Sequence, residues 1–234
     1  MFDTPPEERR FYDRFELLFG ITAVTVVMLL LVDLDQKGGV AELLAIVVTL
    51  LTATTLVLAV VAAGIHRRGF IVALIAAGSL VVTSLAVTIT SQADDTFGGL
   101  LWLLLVIAAP VIAMRRLNHH RKVTFETILG AVSVYLLMAI AATYLFLAVD
   151  AWTAGSGGFF GQAEETTTFM YFSLVTITTL GYGDLAPTAE LARAIAVWEA
   201  VIGQVFLVVV VARLVTVYSA SYSPPLDEGS ASDE

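Results

Sequence analysis

The sequence predicts an all-α integral membrane protein of six transmembrane helices, with a re-entrant helix and loop between the fifth and the sixth. Three observations carry that expectation. Hydrophobic residues fill 58% of the 234 positions and charged residues 14%, a balance that a water-soluble globule of this size could not keep in solution. Six apolar runs approach the roughly 20 residues that a helix needs to cross a hydrocarbon core, each bounded by charge or turn residues. The segment from Asp150 to Glu190 is far too long for a tight turn, and its second half is too apolar to stand in water.

Residues 1–16 precede the first run. Thr4, Pro5 and Glu7 have the form of a capping box with proline at the first helical position, and Phe11, Tyr12 and Phe15 would lay such a helix on the membrane surface. A frayed polar tail is the plainer alternative. The segment is mixed in charge and the apolar run after it has no small-residue cleavage site, so it reads as retained rather than as a signal peptide. The runs follow at Leu17 to Val32, Leu43 to Ile65, Phe70 to Thr90, Leu100 to Met114, Ile128 to Val149 and Ala192 to Tyr218. The first and fourth are short; Trp102 suits an interfacial anchor for the fourth, and Pro110 a kink in it. Residues 17–114 thus form a four-helix unit, 115–122 a basic linker, and 123–218 a second unit of two spans and the loop between them. The tail, 219–234, is polar, proline-bearing and acidic, which predicts disorder. No internal repeat is evident.

Orientation follows from the cations, because short cytoplasmic loops carry the excess of Lys and Arg. Arg9, Arg10, Arg14, Arg67, Arg68, Arg115, Arg116, Arg121 and Lys122 fall on the side shared by both termini, which is assigned to the cytoplasm. Among loop cations Lys37 is alone opposite, where Asp33, Asp35, Asp94, Asp95, Asp150, Glu164 and Glu165 gather. The chain is therefore expected in the plasma membrane, multi-pass, with both termini in the cytoplasm. Arg115, Arg116, Arg121 and Lys122 are placed to touch anionic lipid, and His119 and His120 among them belong to that solvated linker, since adjacent helical positions do not share a face.

Several function classes fall away. A formal net charge of -9 without a broad cationic face argues against a nucleic-acid partner. The absence of cysteine excludes disulfides and thiolate metal sites. An enzyme would need converging nucleophiles, metal ligands or acid and base pairs, and the spans offer essentially Glu199 alone, so neither catalysis nor a cofactor is expected. A coupled transporter would show paired broken helices in two halves, whereas only one re-entrant segment is visible. The fourth run has no basic residue, so it cannot act as a charged voltage sensor, in which each elementary charge contributes about 2.3 kcal/mol per 100 mV.

The loop carries the chemistry. Irregular backbone at membrane depth is tolerated only where protein or a water-filled cavity satisfies it, and this loop ends in Thr178, Thr179, Leu180, Gly181, Tyr182, Gly183 and Asp184. In ordinary extended chain successive carbonyls face opposite sides. Gly181 and Gly183 can take positive φ without a Cβ penalty, which lets the carbonyls of Thr179, Leu180, Gly181 and Tyr182 share one side. With the Thr179 hydroxyl below them, they form a ladder of hard, uncharged oxygens suited to a dehydrated alkali cation. One chain supplies only one side of such a ladder, so copies must meet around an axis, and cyclic symmetry with four chains would replace a hydration shell.

The segment SLVTITTLGYGD, Ser173 to Asp184, resembles the pore signature of the potassium channel superfamily, and the wider similarity runs from about Val123 through Tyr218. The layout is most similar to that of bacterial six-span ion channels, which implies a prokaryotic source. The resemblance implies a homotetrameric potassium channel in which Thr179, Leu180, Gly181, Tyr182 and Gly183 form the selectivity filter, with Leu180 where valine is more usual. It implies a pore helix over about Thr167 to Thr178, a stretch whose Thr and aromatic content would by propensity favour a strand, with its C-terminal dipole aimed at a cavity. Tyr171 and Phe172 then fall where an aromatic pair packs against the filter tyrosine, here Tyr182. Val175 stands where some members have a glutamate that pairs with the aspartate after the filter, here Asp184, so that pairing is absent. Glu164 and Glu165 start the pore helix and, as a ring, would concentrate cations.

Two residues of the sixth span remain open. Gly203 follows Asp184 by 19 positions, the spacing of the glycine at which inner helices of this family bend; close helix packing is the alternative. Glu199 is an acid near mid-membrane, where ionisable groups are costly. It is expected either to hydrogen-bond the hydroxyl of Thr176 or Thr178 behind the filter or to line the ion path. The rival to a selective potassium pore is a weakly selective monovalent cation channel built from the same loop.

Overall fold

Helices form where the apolar runs lie. A computed structural model describes residues 15–31, 39–62, 107–108, 110–111, 114 and 125–221, and among these the regular structure is helical, with no strand. The elements are α1 (Phe15–Leu31), α2 (Gly39–Ala62), α3 (Phe125–Thr153), a single 3₁₀ turn at Ala154–Ser156, α4 (Thr166–Ile177) and α5 (Glu190–Ser221). The first, second, fifth and sixth runs thus become α1, α2, α3 and α5. The fourth is described only at Ile107, Ala108, Pro110, Val111 and Met114, all helical. Residues 1–14, the third run, the 115–122 linker and residues 222–234 lie outside the described residues.

Both α3 and α5 outrun their apolar cores. Expected over Ile128 to Val149, α3 continues to Thr153, whose hydroxyl donates to the Val149 carbonyl at 2.7 Å and occupies an acceptor of the last turn. The boundary expected at 218 also moves: α5 runs on to Ser221, so positions 219–221 are helix. At 1.5 Å per residue the 29 residues of α3 extend roughly 43 Å and the 17 of α1 roughly 25 Å. Among the described residues, length and composition let two helices cross a membrane, through Thr127–Thr153 and Glu190–Val210, with mean hydropathies of 2.2 and 1.9.

The helices interlock through apolar stripes and a few buried hydroxyls. α1 packs on α2, α3 and α4, while α3 and α5 both pack on α4. One core joins Leu18, Ala59, Val134, Leu137, Phe206 and Val210; a second joins Val26, Leu29, Ala139, Ile140, Met170 and Ile177. Between α1 and α2 the hydroxyls of Thr25 and Thr55 lie 2.7 Å apart, a polar bridge within apolar helices of the kind that fixes helix pairs in lipid. A third core is aromatic: Phe146, Phe159, Phe160, Phe169 and Phe172 pack beside Ala192 and Ala196.

That aromatic core anchors the segment leading to α4. Asp150 accepts the Phe159 amide at 2.7 Å, folding the chain back onto α3. Gly158 makes the close approach possible, because it sits at φ +75° and a Cβ there would lie 2.5 Å from Asp150 Oδ1. The Phe159 carbonyl in turn accepts the Thr188 amide at 3.0 Å, so the chain before α4 is tied to the chain before α5.

Candidate functional site

Burial, not propensity, makes α4 a helix. Phe169, Ser173 and Ile177 are fully buried one turn apart, with Met170, Phe172 and Val175 beside them, so the 3.6-residue period seats one face against α3 and α5. The helix expected at 167–178 is observed at Thr166–Ile177, one residue earlier. Its entry is acidic: Glu165 is the N-cap residue, its carbonyl accepts the Thr168 amide at 3.0 Å, and the Glu164 carboxylate accepts the Thr168 hydroxyl at 3.1 Å.

The exit from α4 leaves no carbonyl of the last turn without a partner. Leu174 O accepts the Thr178 amide at 3.1 Å, Val175 O the Leu180 amide at 3.0 Å, and Thr176 O the Thr179 amide at 2.9 Å. Ile177 O accepts the Tyr135 hydroxyl from α3 at 2.7 Å. The pair Leu180 to Val175 and Thr179 to Thr176 is a Schellman motif, which requires a left-handed residue at the position of Thr179. Thr179 is at φ +58°, a conformation that costs a β-branched residue about 1–3 kcal/mol and that glycine usually supplies.

Left-handed geometry then recurs at every second position. Gly181 is at φ +56° and Gly183 at φ +78°, while Leu180 and Tyr182 are not in the positive-φ region. Alternating the hand of successive residues cancels the alternation of an ordinary strand, so neighbouring carbonyls can face one side. Thr179 through Asp184 are all exposed, with Leu180 at 56% and Tyr182 at 66% of their full surface.

Tyr171 braces this loop. Its ring stacks on Tyr182, centroids 6.5 Å apart and planes 7° off parallel, and its hydroxyl donates to Asp184 Oδ2 at 2.7 Å. Its bond to Asp184, with lesser contributions from burial and neighbouring charge, holds the Tyr171 hydroxyl above its ordinary tyrosine value and so keeps it protonated. The aromatic pair does not act together within one chain. Adjacent helical residues point apart, and Phe172 instead packs on Phe146, Phe159 and Phe160. Val175, which leaves Asp184 without an acid partner, is buried, and Asp184 is paired with Tyr171 in its place.

On α5 the buried positions Ala192, Ala196, Glu199, Gly203, Phe206 and Val210 recur at three- and four-residue spacing, so Glu199 belongs to the stripe that faces α3 and α4. The partner expected from the sequence is Thr176 or Thr178. The bond is instead with Ser173, at 2.6 Å, because Ser173 lies on the fully buried face whereas Thr178 is exposed and its hydroxyl donates to Leu174 O at 2.6 Å. Gly203 lies against the end of α4: a Cβ there would stand 2.5 Å from Ile177 Cγ1 and 3.0 Å from the Ile177 carbonyl oxygen. Ile177 is therefore held from both sides, by Tyr135 and by Gly203.

Tyr135 and Ile177 carry no sequence signal of their own, Ser173 enters the sequence reading only as the first residue of the signature segment, and Asp150 only as an outer acid at the start of the loop. A serine within the buried face of a membrane-depth helix, with an acid in the following span, is the one signal that could have paired Ser173 with Glu199.

Residues 123–220 match a family model described as an ion channel; the match spans α3, α4, the loop and nearly all of α5. It supports an ion-channel domain in that segment and a channel function for it. No curated protein and no solved structure matches the chain.

Proposed function

We propose that four copies of this chain surround one axis and form a potassium-selective channel. The observation that carries the reading is the left-handed backbone at Thr179, Gly181 and Gly183, every second residue of an exposed loop at the end of a buried short helix. At Gly181 and Gly183 this geometry serves no packing need within the chain, since a Cβ added at either would meet nothing within 4 Å. It serves a row of carbonyl oxygens. In the tetramer the carbonyls of Thr179, Leu180, Gly181 and Tyr182 replace the hydration shell of potassium, and the Thr179 hydroxyl adds the innermost ring.

The remaining parts take roles around that row. Six spans place both termini in the cytoplasm, α4 re-enters from outside as the pore helix, and α5 lines the inner pathway. With the last carbonyls of α4 all bonded, its contribution to the ion is the summed helix dipole. The apolar face of α5, including Val201, Ile202, Val205, Val208 and Val209, is exposed in the single chain and meets neighbouring subunits and the pathway. Opening does not depend on a charged sensor helix, and the basic residues of the 115–122 linker meet anionic lipid.

Purified protein in liposomes loaded with potassium tests the reading. Potassium efflux, blocked by quaternary ammonium and accompanied by a cross-linked species of four subunits, is the expected result. Efflux of sodium at a matching rate would favour the weakly selective channel, and a monomer with no cation flux would remove both.

A further inference from the structure

Ser173 stands between two oxygens. Its Oγ is 2.9 Å from the Ala139 carbonyl of α3 and 2.6 Å from Glu199 Oε1 of α5. A serine hydroxyl has one proton to donate. If Glu199 were ionised, both neighbours would be acceptors, and one of the two contacts would bring bare oxygens together. A protonated Glu199 removes the conflict: it donates to Ser173, and Ser173 donates to Ala139.

The surroundings lead to the same protonation state. Glu199 is only 8% exposed, and Ser173 is its one hydrogen-bond partner among the described residues, which leaves Oε2 without one. A carbonyl-type oxygen without a partner is a tolerable orphan, whereas half of a buried carboxylate charge is not. Glu199 also borders a cavity of ≈ 540 Å³ whose walls are apolar, among them Val134, Met138, Ile195, Ile202 and Phe206. On α3, the Tyr135 hydroxyl is engaged by Ile177 O at 2.7 Å. On α4, Tyr171 is turned to Asp184, and on α5, Arg193 is turned to the Pro187 carbonyl at 2.9 Å. None of them supplies a cation to an ionised Glu199.

We infer that Glu199 works as an uncharged carboxylic acid, a positioning residue that donates its proton to Ser173 and ties α3, α4 and α5 together behind the filter. Its consequence for flux rests on the potassium-channel reading; its protonation does not. Ionising Glu199 breaks the three-helix relay and loosens α4, so conduction falls as the medium turns alkaline.

The test joins potassium flux in liposomes with infrared difference spectroscopy on the full chain across neutral and alkaline pH. Glu199→Gln keeps a donor in the same place and is expected to retain most of the flux without the alkaline decline, whereas Glu199→Ala loses about tenfold by leaving Ser173 without its donor. Wild type is expected to show a protonated-carboxyl stretch at neutral pH that Glu199→Gln lacks. Ser173→Ala should weaken flux while leaving the other signals of a folded tetramer intact. No such stretch at neutral pH, or an alkaline decline unchanged in Glu199→Gln, would overturn the inference. A protein that shows the stretch yet passes no potassium at any pH would overturn the channel reading and leave the protonation standing.

Discussion

The Tyr171 hydroxyl donates to Asp184 at 2.7 Å while the Tyr171 ring stacks on Tyr182, so one side chain of α4 holds two residues of the loop at once. Both contacts begin thirteen or fewer positions away in sequence and close the loop back on its own helix. Tyr171→Phe removes the hydrogen bond and keeps the ring. A hydrogen bond to a charged group contributes about 1.5–3 kcal/mol, reduced here by exposure to solvent, so the expected result is faster decay of potassium current with the same ion selectivity. Current decay at constant voltage checks this, and Asp184→Asn should give the same phenotype without adding to it.

Thr179 is a threonine where a Schellman motif favours glycine. Thr179→Gly should relieve the left-handed strain and raise thermal stability by about 1 kcal/mol, read as an upward shift in Tm. The same change removes the hydroxyl proposed as the innermost ligand ring, so discrimination between potassium and sodium should fall. Stability and selectivity moving in opposite directions is the signature.

Gly203→Ala would set a methyl 2.5 Å from Ile177 Cγ1 and 3.0 Å from the Ile177 carbonyl oxygen. The side chain can shift, but the carbonyl belongs to the end of α4 and is also held by Tyr135. A loss of about 1–3 kcal/mol in stability is expected, seen as a lower Tm of the detergent-solubilised protein. A variant with unaltered Tm and altered open probability would point to bending at this glycine instead.

Gly158→Ala tests the loop's anchor. The position is at φ +75° and its new Cβ would meet Asp150 Oδ1 at 2.5 Å, which would displace the carboxylate from the Phe159 amide. Destabilisation beyond about 1 kcal/mol is expected, with proteolysis between α3 and α4 as the readout.

The helices α3 and α5 and the alternating backbone of the loop could be read from the sequence because each has a local cause. Apolar runs of sufficient length specify α3 and α5, and two glycines separated by one residue specify the left-handed turns at Gly181 and Gly183. Thr179 could not be read that way. Its positive φ comes from how α4 ends, through two backbone hydrogen bonds that no side chain announces. The partner of Glu199 was missed for a related reason: Ser173, Thr176 and Thr178 all lie at the last turns of α4, and which of them meets α5 is decided by the packing of Phe169, Ser173 and Ile177. Helix ends, such as Thr153 and Ser221, extend past the apolar runs because backbone hydrogen bonding continues a helix through residues that hydropathy does not mark.

Reversal potential under potassium on one side and sodium on the other, for the chain reconstituted in a planar bilayer, tests the central claim most directly. The proposed carbonyl row predicts a reversal near the potassium equilibrium value, lost in Gly181→Ala, where a Cβ at φ +56° strains the row. A reversal near zero in the wild type, or one that Gly181→Ala leaves in place, would contradict it.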